Sequence, residues 1–262
     1  MFFDVVSLLT PDRVVFFVLV MTRLSGMMAT APLFSTYPVP NQIKASLIAL
    51  VAFIMYPVIA KISPIAHMPM DMIGLAVLAF REVIIGSIIG FCMNLIFVSI
   101  QVAGQLISID MGLAMSELLD PVTRQQTPVV GQFYLFMAMI AFLFVNGDHY
   151  LFQSVLDSYH LLPIDTNFVI QGALVEKIVY FSSQIFVIAF SIIMPVYSIL
   201  FVVSVLLGFT SKMMPQLNIF QLAMPVKIYI GIGLMAFFIS KTYVLMATTI
   251  ENLLVRVNGI FI

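Results

Sequence analysis

Residues 72–109 read MIGLAVLAFREVIIGSIIGFCMNLIFVSIQVAGQLISI. As one helix, at 1.5 Å per residue, this run would reach on the order of 55 Å, well beyond the roughly 30 Å of hydrocarbon in a bilayer. A helix that long in water would need a charged face; this one carries the adjacent pair Arg81 and Glu82 and scattered small and amide residues. Three outcomes follow: the helix breaks, it protrudes, or the chain does not sit in lipid as an ordinary span does.

Within the run, Glu82, Gly86, Gly90 and Asn94 recur at four-residue steps, and Gln101, Gln105 and Ser108 continue near the same face. Small and polar residues on one face let backbones approach and hydrogen-bond where lipid offers no hydrophobic contrast. The stripe predicts a helix interface, and contact between subunits is the expectation for Arg81, Glu82, Gly86, Gly90, Asn94, Gln101 and Gln105. Arg81 and Glu82, being adjacent, point in different directions on a helix, so each is expected to find its own partner. As a catalytic face the stripe is poor, with no His and no paired acids.

Toward the N-terminus, Thr10-Pro11-Asp12 is a helix start: a hydroxyl N-cap, proline at the first position and an acid in the first turn. The helix predicted over Val14 to Ala31 is long enough to span, and Arg23 at its middle is costly in lipid. Arg23 should therefore face protein or water, with snorkelling to a head group as the alternative. The opening MFFDVVSLLTPDR has acids before any basic residue and no small-residue cleavage pattern, so the first hydrophobic helix is expected to be retained. Pro32, Pro38 and Pro40 then break the chain, a second helix is expected from Ala45 to about Ala60, and Asp71 is a candidate N-cap for the long run.

Toward the C-terminus the stretch Ser108 to Pro128, SIDMGLAMSELLDPVTRQQTP, gathers Asp110, Glu117, Asp120 and Arg124 with two Gly/Pro breaks while keeping Met111, Leu113 and Met115. It is neither a clean span nor a solvated linker. Thr127-Pro128 starts an apolar helix over Val129–Val145, which Asn146-Gly147-Asp148 ends with an αL-tolerant pair. The segment to Lys177 is mixed. From Ile178 to Gly208 comes another overlong apolar run, where Pro195 near the middle favours two helices. A final apolar helix is expected from Val226 to about Ile250.

The whole chain, 262 residues with 62% hydrophobic and 9% charged, is far from a soluble composition and reads as a membrane or membrane-associated, all-α protein in contact with membrane lipid. A net charge of −1, with Lys and Arg scattered singly, gives no case for nucleic acid. The one cysteine, Cys92, reads as core packing. Loop charges over six nominal spans tie across the membrane, which argues against a simple six-span topology. His149 and His160 are not spaced like helical metal ligands. No phosphate loop, dinucleotide fingerprint or nucleophile elbow is present, and Asp110 and Asp120 make a poor intramembrane dyad. No enzyme, cofactor or metal is read. The residues leave open a polytopic small-solute transporter or channel, or a scaffold that holds partner helices.

Four stretches resemble one family. Pro215 to Lys227, PQLNIFQLAMPVK, is similar to the signature of the FliR family, the bacterial flagellar export-gate protein and its counterparts in virulence type III secretion. TRLSGMMATAPLF, FREVIIG and GLAMSELLDPVTRQQTPVVG resemble that family in the same order, so the similarity covers nearly the whole chain. The resemblance implies an all-α subunit of helical hairpins and long kinked helices, with residues 1–177 FliP-like and 178–262 FliQ-like. It implies assembly with FliP and FliQ into the export gate of the flagellar basal body in the bacterial inner membrane, FlhB outside it and FlhA beneath. It also implies passage of unfolded flagellar proteins through a central pore. On that basis Ser108 to Pro128 is expected to be the plug, with Met111, Gly112, Met115, Glu117, Asp120, Pro121 and Arg124 as its pore-loop residues. Gly112 supplies a hinge, methionine an adaptable seal, and Asp120-Pro121 a rigid exit. The signature turn comprises Pro215, Asn218, Phe220, Pro225 and Lys227: Asn218 is a candidate N-cap, Pro225 strains the following helix, and Lys227 is expected to meet an acid in a neighbouring subunit.

Overall fold

The computed structural model describes residues 10–35, 39–63, 71–113, 129–164, 172–214 and 219–258, and all its regular structure there is helix. The elements are α1 (Pro11–Thr30), α2 (Pro32–Ser35), α3 (Asn41–Ile62), α4 (Met72–Asp110), α5 (Val129–Phe144), α6 (Gly147–Leu161), α7 (Gly172–Met213) and α8 (Ile219–Asn258). Five of these helices are long and apolar enough to cross a membrane, and the bent pair α5 and α6 would make a sixth. Met115, Glu117, Asp120, Pro121, Arg124, Pro215 and Asn218 lie outside the described residues, as does the side chain of Phe220.

The 72–109 run does not break. α4 is one helix of 39 residues, about 58 Å long at 1.5 Å per residue. It ends where Gly112 turns the chain in the left-handed region, φ 82°. Pro195 does not divide the next long run either: α7 continues through it for 42 residues. Its surroundings, SIIMPVYSIL, offer no Gly, Asn or Asp to make a hairpin. In an apolar setting every backbone group must be satisfied within the segment, so losing one helical bond at proline is cheaper than opening a turn. Ser191 and Ser198, either side of it, bond back to the carbonyls of Val187 and Met194.

Other boundaries shift for local reasons. α3 begins at Asn41, directly after Pro40, and runs through Pro57. α8 begins at Ile219, one residue past Asn218, and carries Pro225 in its second turn. Thr10 occupies the N-cap of α1 in extended geometry, but its hydroxyl makes no capping bond; its carbonyl accepts from Arg13 and Val14. Asn146 takes the expected left-handed conformation, φ 55°, yet the helix resumes at once as α6. That second helix was not legible in a segment mixing charges with Leu and Phe.

The fold divides into two compact units, one holding the chain to Leu95, Gly147–Tyr180 and the residues from Leu253, the other Ile96–Asn146 and Phe181–Asn252. In the first, α1 packs on α3 through Phe16 and Tyr56, whose rings meet edge to face at 5.7 Å. α1 meets α4 backbone to backbone: a Cβ on Gly86 would strike the Arg23 carbonyl, one on Gly90 the Thr30 hydroxyl and Met27 carbonyl, and one on Gly26 the Val83 carbonyl. In the second, Phe97 of α4 and Phe142 of α5 meet edge to face at 5.4 Å. There a Cβ on Gly104 would lie 2.6 Å from the Gly131 Cα.

These contacts predict that Gly86→Ala lowers thermal stability in detergent by about 1–3 kcal/mol through overpacking against fixed backbone. Gly233→Ala, at a position with nothing within 4 Å, should be neutral or stabilising by up to about 1 kcal/mol. Equal melting shifts for the two variants would contradict the close approach.

Candidate functional site

Two charged anchors stand out, one in each unit. In the first, Arg23 has no exposed surface and uses all three guanidinium nitrogens. Nε donates to Glu82 Oε2 at 2.6 Å, Nη1 to Ser158 Oγ at 2.9 Å, and Nη2 to the Leu162 carbonyl at 3.0 Å. The guanidinium also lies 3.7 Å above the centre of the Tyr159 ring. Glu82, equally buried, has its other carboxylate oxygen 3.4 Å from Arg81 Nη2, which itself donates to the Pro163 carbonyl at 2.6 Å. Adjacent as they are, Arg81 and Glu82 thus do share a contact, while each also finds the separate partner expected of it.

The two arginines reach carbonyls just past the C-terminus of α6, where a helix leaves acceptors unpaired and partial negative charge accumulates. Arg23 and Arg81 together supply the cations that end requires. Ser63 completes the corner by accepting from the Ile164 N–H at 3.3 Å. Sequence reasoning placed Arg23 against protein or water but missed Ser158 and Tyr159. Helical spacing from Val155, through Ser158 and Tyr159 to Leu162, was the available signal.

The second anchor sits where α4 ends. Lys227 Nζ donates to the Asp110 main-chain carbonyl at 3.2 Å and lies 3.5 Å from its carboxylate Oδ1. Met111 is fully buried, with its Sδ and Cε 2.7 Å from where a Cβ on Gly231 would stand. A Cβ on Gly112 would lie 3.3 Å from Met224 Cγ. Lys227, for which an acid in a neighbouring subunit is expected, is thus placed beside Asp110 of its own chain.

The predicted stripe falls into two parts. Glu82, Gly86 and Gly90 are buried against elements of the same chain, whereas Asn94, Gln101 and Gln105 are half-buried. The stretches TRLSGMMATAPLF and FREVIIG touch through Arg23 and Glu82, and Gly112 lies beside Met224 of α8.

Residues 14–253 match the model of a family described as bacterial export proteins, family 1. The chain belongs to the FliR family of bacterial export proteins. It is 31% identical over 253 residues to the flagellar biosynthetic protein FliR of Bacillus subtilis (strain 168), covering 92% of this chain and 95% of the relative. It is 29% identical over 214 residues to FliR of Escherichia coli (strain K12), covering 82% and 80%. The surface presentation of antigens protein SpaR of Shigella flexneri is 28% identical over 157 residues, 59% of each chain. In this member of the FliR family, both anchors lie inside the matched region.

Because the first anchor is fully desolvated, Glu82→Gln should cost about 3–5 kcal/mol by leaving Arg23 buried without its counter-charge. Adding Arg23→Met should recover part of that loss in a double-mutant cycle measured by thermal melting. Strictly additive losses would mean the two side chains are not coupled.

Proposed function

We propose that this chain is a non-enzymatic subunit of the flagellar type III protein export gate. It assembles with FliP and FliQ in the bacterial inner membrane, within the flagellar basal body, and passes unfolded flagellar proteins across that membrane. The observation that carries this reading is the family match over residues 14–253. The helices support it: α4, α7 and α8 are each far longer than a bilayer requires. The most apolar part of α8 is only 6% buried within the chain, so lipid or partner subunits must cover it. FlhB on the outside and FlhA beneath complete the assembly in this reading, and residues 1–177 and 178–262 correspond to FliP-like and FliQ-like parts. Contact between subunits is assigned to the exposed apolar faces together with Asn94, Gln101 and Gln105.

In this reading Ser108 to Pro128 plugs the channel. A pore for unfolded chains must admit diverse sequences yet seal against ions when idle, and methionine conforms to irregular surfaces without a fixed shape. The stretch leaves α4 at Gly112, whose left-handed conformation glycine adopts without steric cost.

Replacing Ala114 to Gln126 by a Gly/Ser segment of equal length should leave co-purification with FliP and FliQ intact and make cells leak small ions. Unchanged conductance in an assembled complex would count against the plug. Uptake of a small solute by the purified chain in liposomes would replace the gate reading with a transporter.

A further inference from the structure

α8 carries four charged residues, Lys227, Lys241, Glu251 and Arg256. Two of them are answered within the chain: Lys227 stands beside Asp110, and Arg256 donates from Nη1 to the Tyr180 hydroxyl at 3.0 Å. Lys241 is exposed and has neither a hydrogen bond nor an ion pair among the described residues. Glu251 stands roughly 15 Å farther along the same helix, too far for an ion pair.

The surface around Lys241 is apolar. At 3.6 residues per turn Val226, Phe237, Val244, Leu245 and Val255 lie within roughly 60° of it on α8, and all five are exposed, Phe237 at 78%. Thr248, on the same side, turns its hydroxyl back to the Val244 and Leu245 carbonyls and so adds no free polar group. The residues of α8 that its own chain buries, Gly231, Thr242, Met246 and Ile250, fall on another side of the helix.

Length decides what can cover this face. From Val226 to Val255 it runs roughly 44 Å, against the roughly 30 Å of hydrocarbon in a bilayer, with Lys241 near its middle. A hydrocarbon layer that ends at Lys241 leaves half of the apolar face for protein to cover. A layer that extends past Lys241 puts an ammonium into hydrocarbon, where it is disfavoured without a partner. Either placement calls for a protein neighbour at the level of Lys241, and an apolar neighbour seats an ammonium there only if a carboxylate meets it.

We propose that Lys241 is the charged centre of a docking face, and that its occupant is an apolar helix of a partner subunit presenting an Asp or Glu carboxylate at the level of Lys241. Lys241 Nζ donates to that carboxylate, and Phe237, Val244 and Leu245 close around the pair. The charge fixes the register of the contact. Along a face that is otherwise apolar, a partner helix displaced by one turn finds similar packing, whereas the ammonium accepts only the register that brings the carboxylate opposite it. The proposal rests on the gate reading above and adds to it the chemistry by which α8 selects its neighbour.

The test uses the complete complex of this chain with FliP and FliQ, treated with dicyclohexylcarbodiimide, a membrane-permeant reagent that condenses an amine and a carboxylate in contact into an amide. Mass spectrometry should find Lys241 joined to one Asp or Glu in an apolar helix of FliP or FliQ. Lys241→Arg, which keeps the charge and lacks the primary amine, should assemble and show no link. Lys241→Met should lower recovery of the complex at least about tenfold by leaving the partner carboxylate buried without its counter-charge, and replacing the linked acid by Leu in the same complex should restore most of it. An assembled wild-type complex in which Lys241 forms no link, a link to a second copy of this chain, or a Lys241→Met complex recovered at wild-type yield would each overturn the proposal. So would labelling of Lys241 by a water-soluble amine reagent in the assembled complex, which would place it at water or a lipid head group. The gate reading fails separately: it falls if the wild-type chain does not co-purify with FliP and FliQ, whereas co-purification without the link leaves it standing and removes only the docking face.

Discussion

Arg23 carries a full charge with no exposed surface, and the first unit is arranged around compensating it. Three parts of the chain contribute, since α4 provides Glu82, α6 provides Ser158 and the Tyr159 face, and the residues past α6 provide the Leu162 carbonyl. Those groups converge only if α1 lies close on α4, which Gly26, Gly86 and Gly90 permit by leaving no Cβ between the backbones. The apolar core of Phe16, Leu19, Met27, Ile85 and Ile89 then closes around a polar centre whose geometry it did not dictate. Non-directional packing in a chain this apolar would allow many helix arrangements; a guanidinium needing acceptors at fixed angles allows few.

That constraint explains which features were legible in the sequence. A charge inside an apolar helix has to be answered, so Arg23 facing protein or water, and separate partners for Arg81 and Glu82, followed from residue chemistry. The end of α4 was marked by Gly112, and the break after α5 by Asn146. What could not be read depended on the comparison between local and environmental cost. Pro195 looks like a breaker by propensity, but opening a turn in apolar surroundings exposes more backbone than the proline forfeits. α6 was obscured because its buried face, Leu151, Val155 and Tyr159, alternates with Asp148 and Asp157. The partner of Lys227 lay 117 positions away, and no local pattern encodes a pairing at that distance.

The two anchors show one chemistry used at two strengths. Arg23 with Glu82 is dry, multiply bonded and surrounded by fixed backbone, and it sets the architecture of one unit. Lys227 with Asp110 is partly exposed, leaves one carboxylate oxygen without a hydrogen bond among the described residues, and neighbours a methionine seated against Gly231. In the export-gate reading proposed above, the dry pair is the rigid joint by which helices exposing long apolar faces keep their register. The other pair lies where α4 ends.

The central claim, that the chain beyond α4 borders the path of an exported polypeptide, is tested most directly by photo-crosslinking in a gate stalled with a partly exported substrate. A photo-reactive side chain placed at Leu113 should capture the substrate, while one placed at Ile73, on the exposed face of α4 in the other unit, should capture none. Substrate adducts from position 73 and none from position 113 would contradict the account.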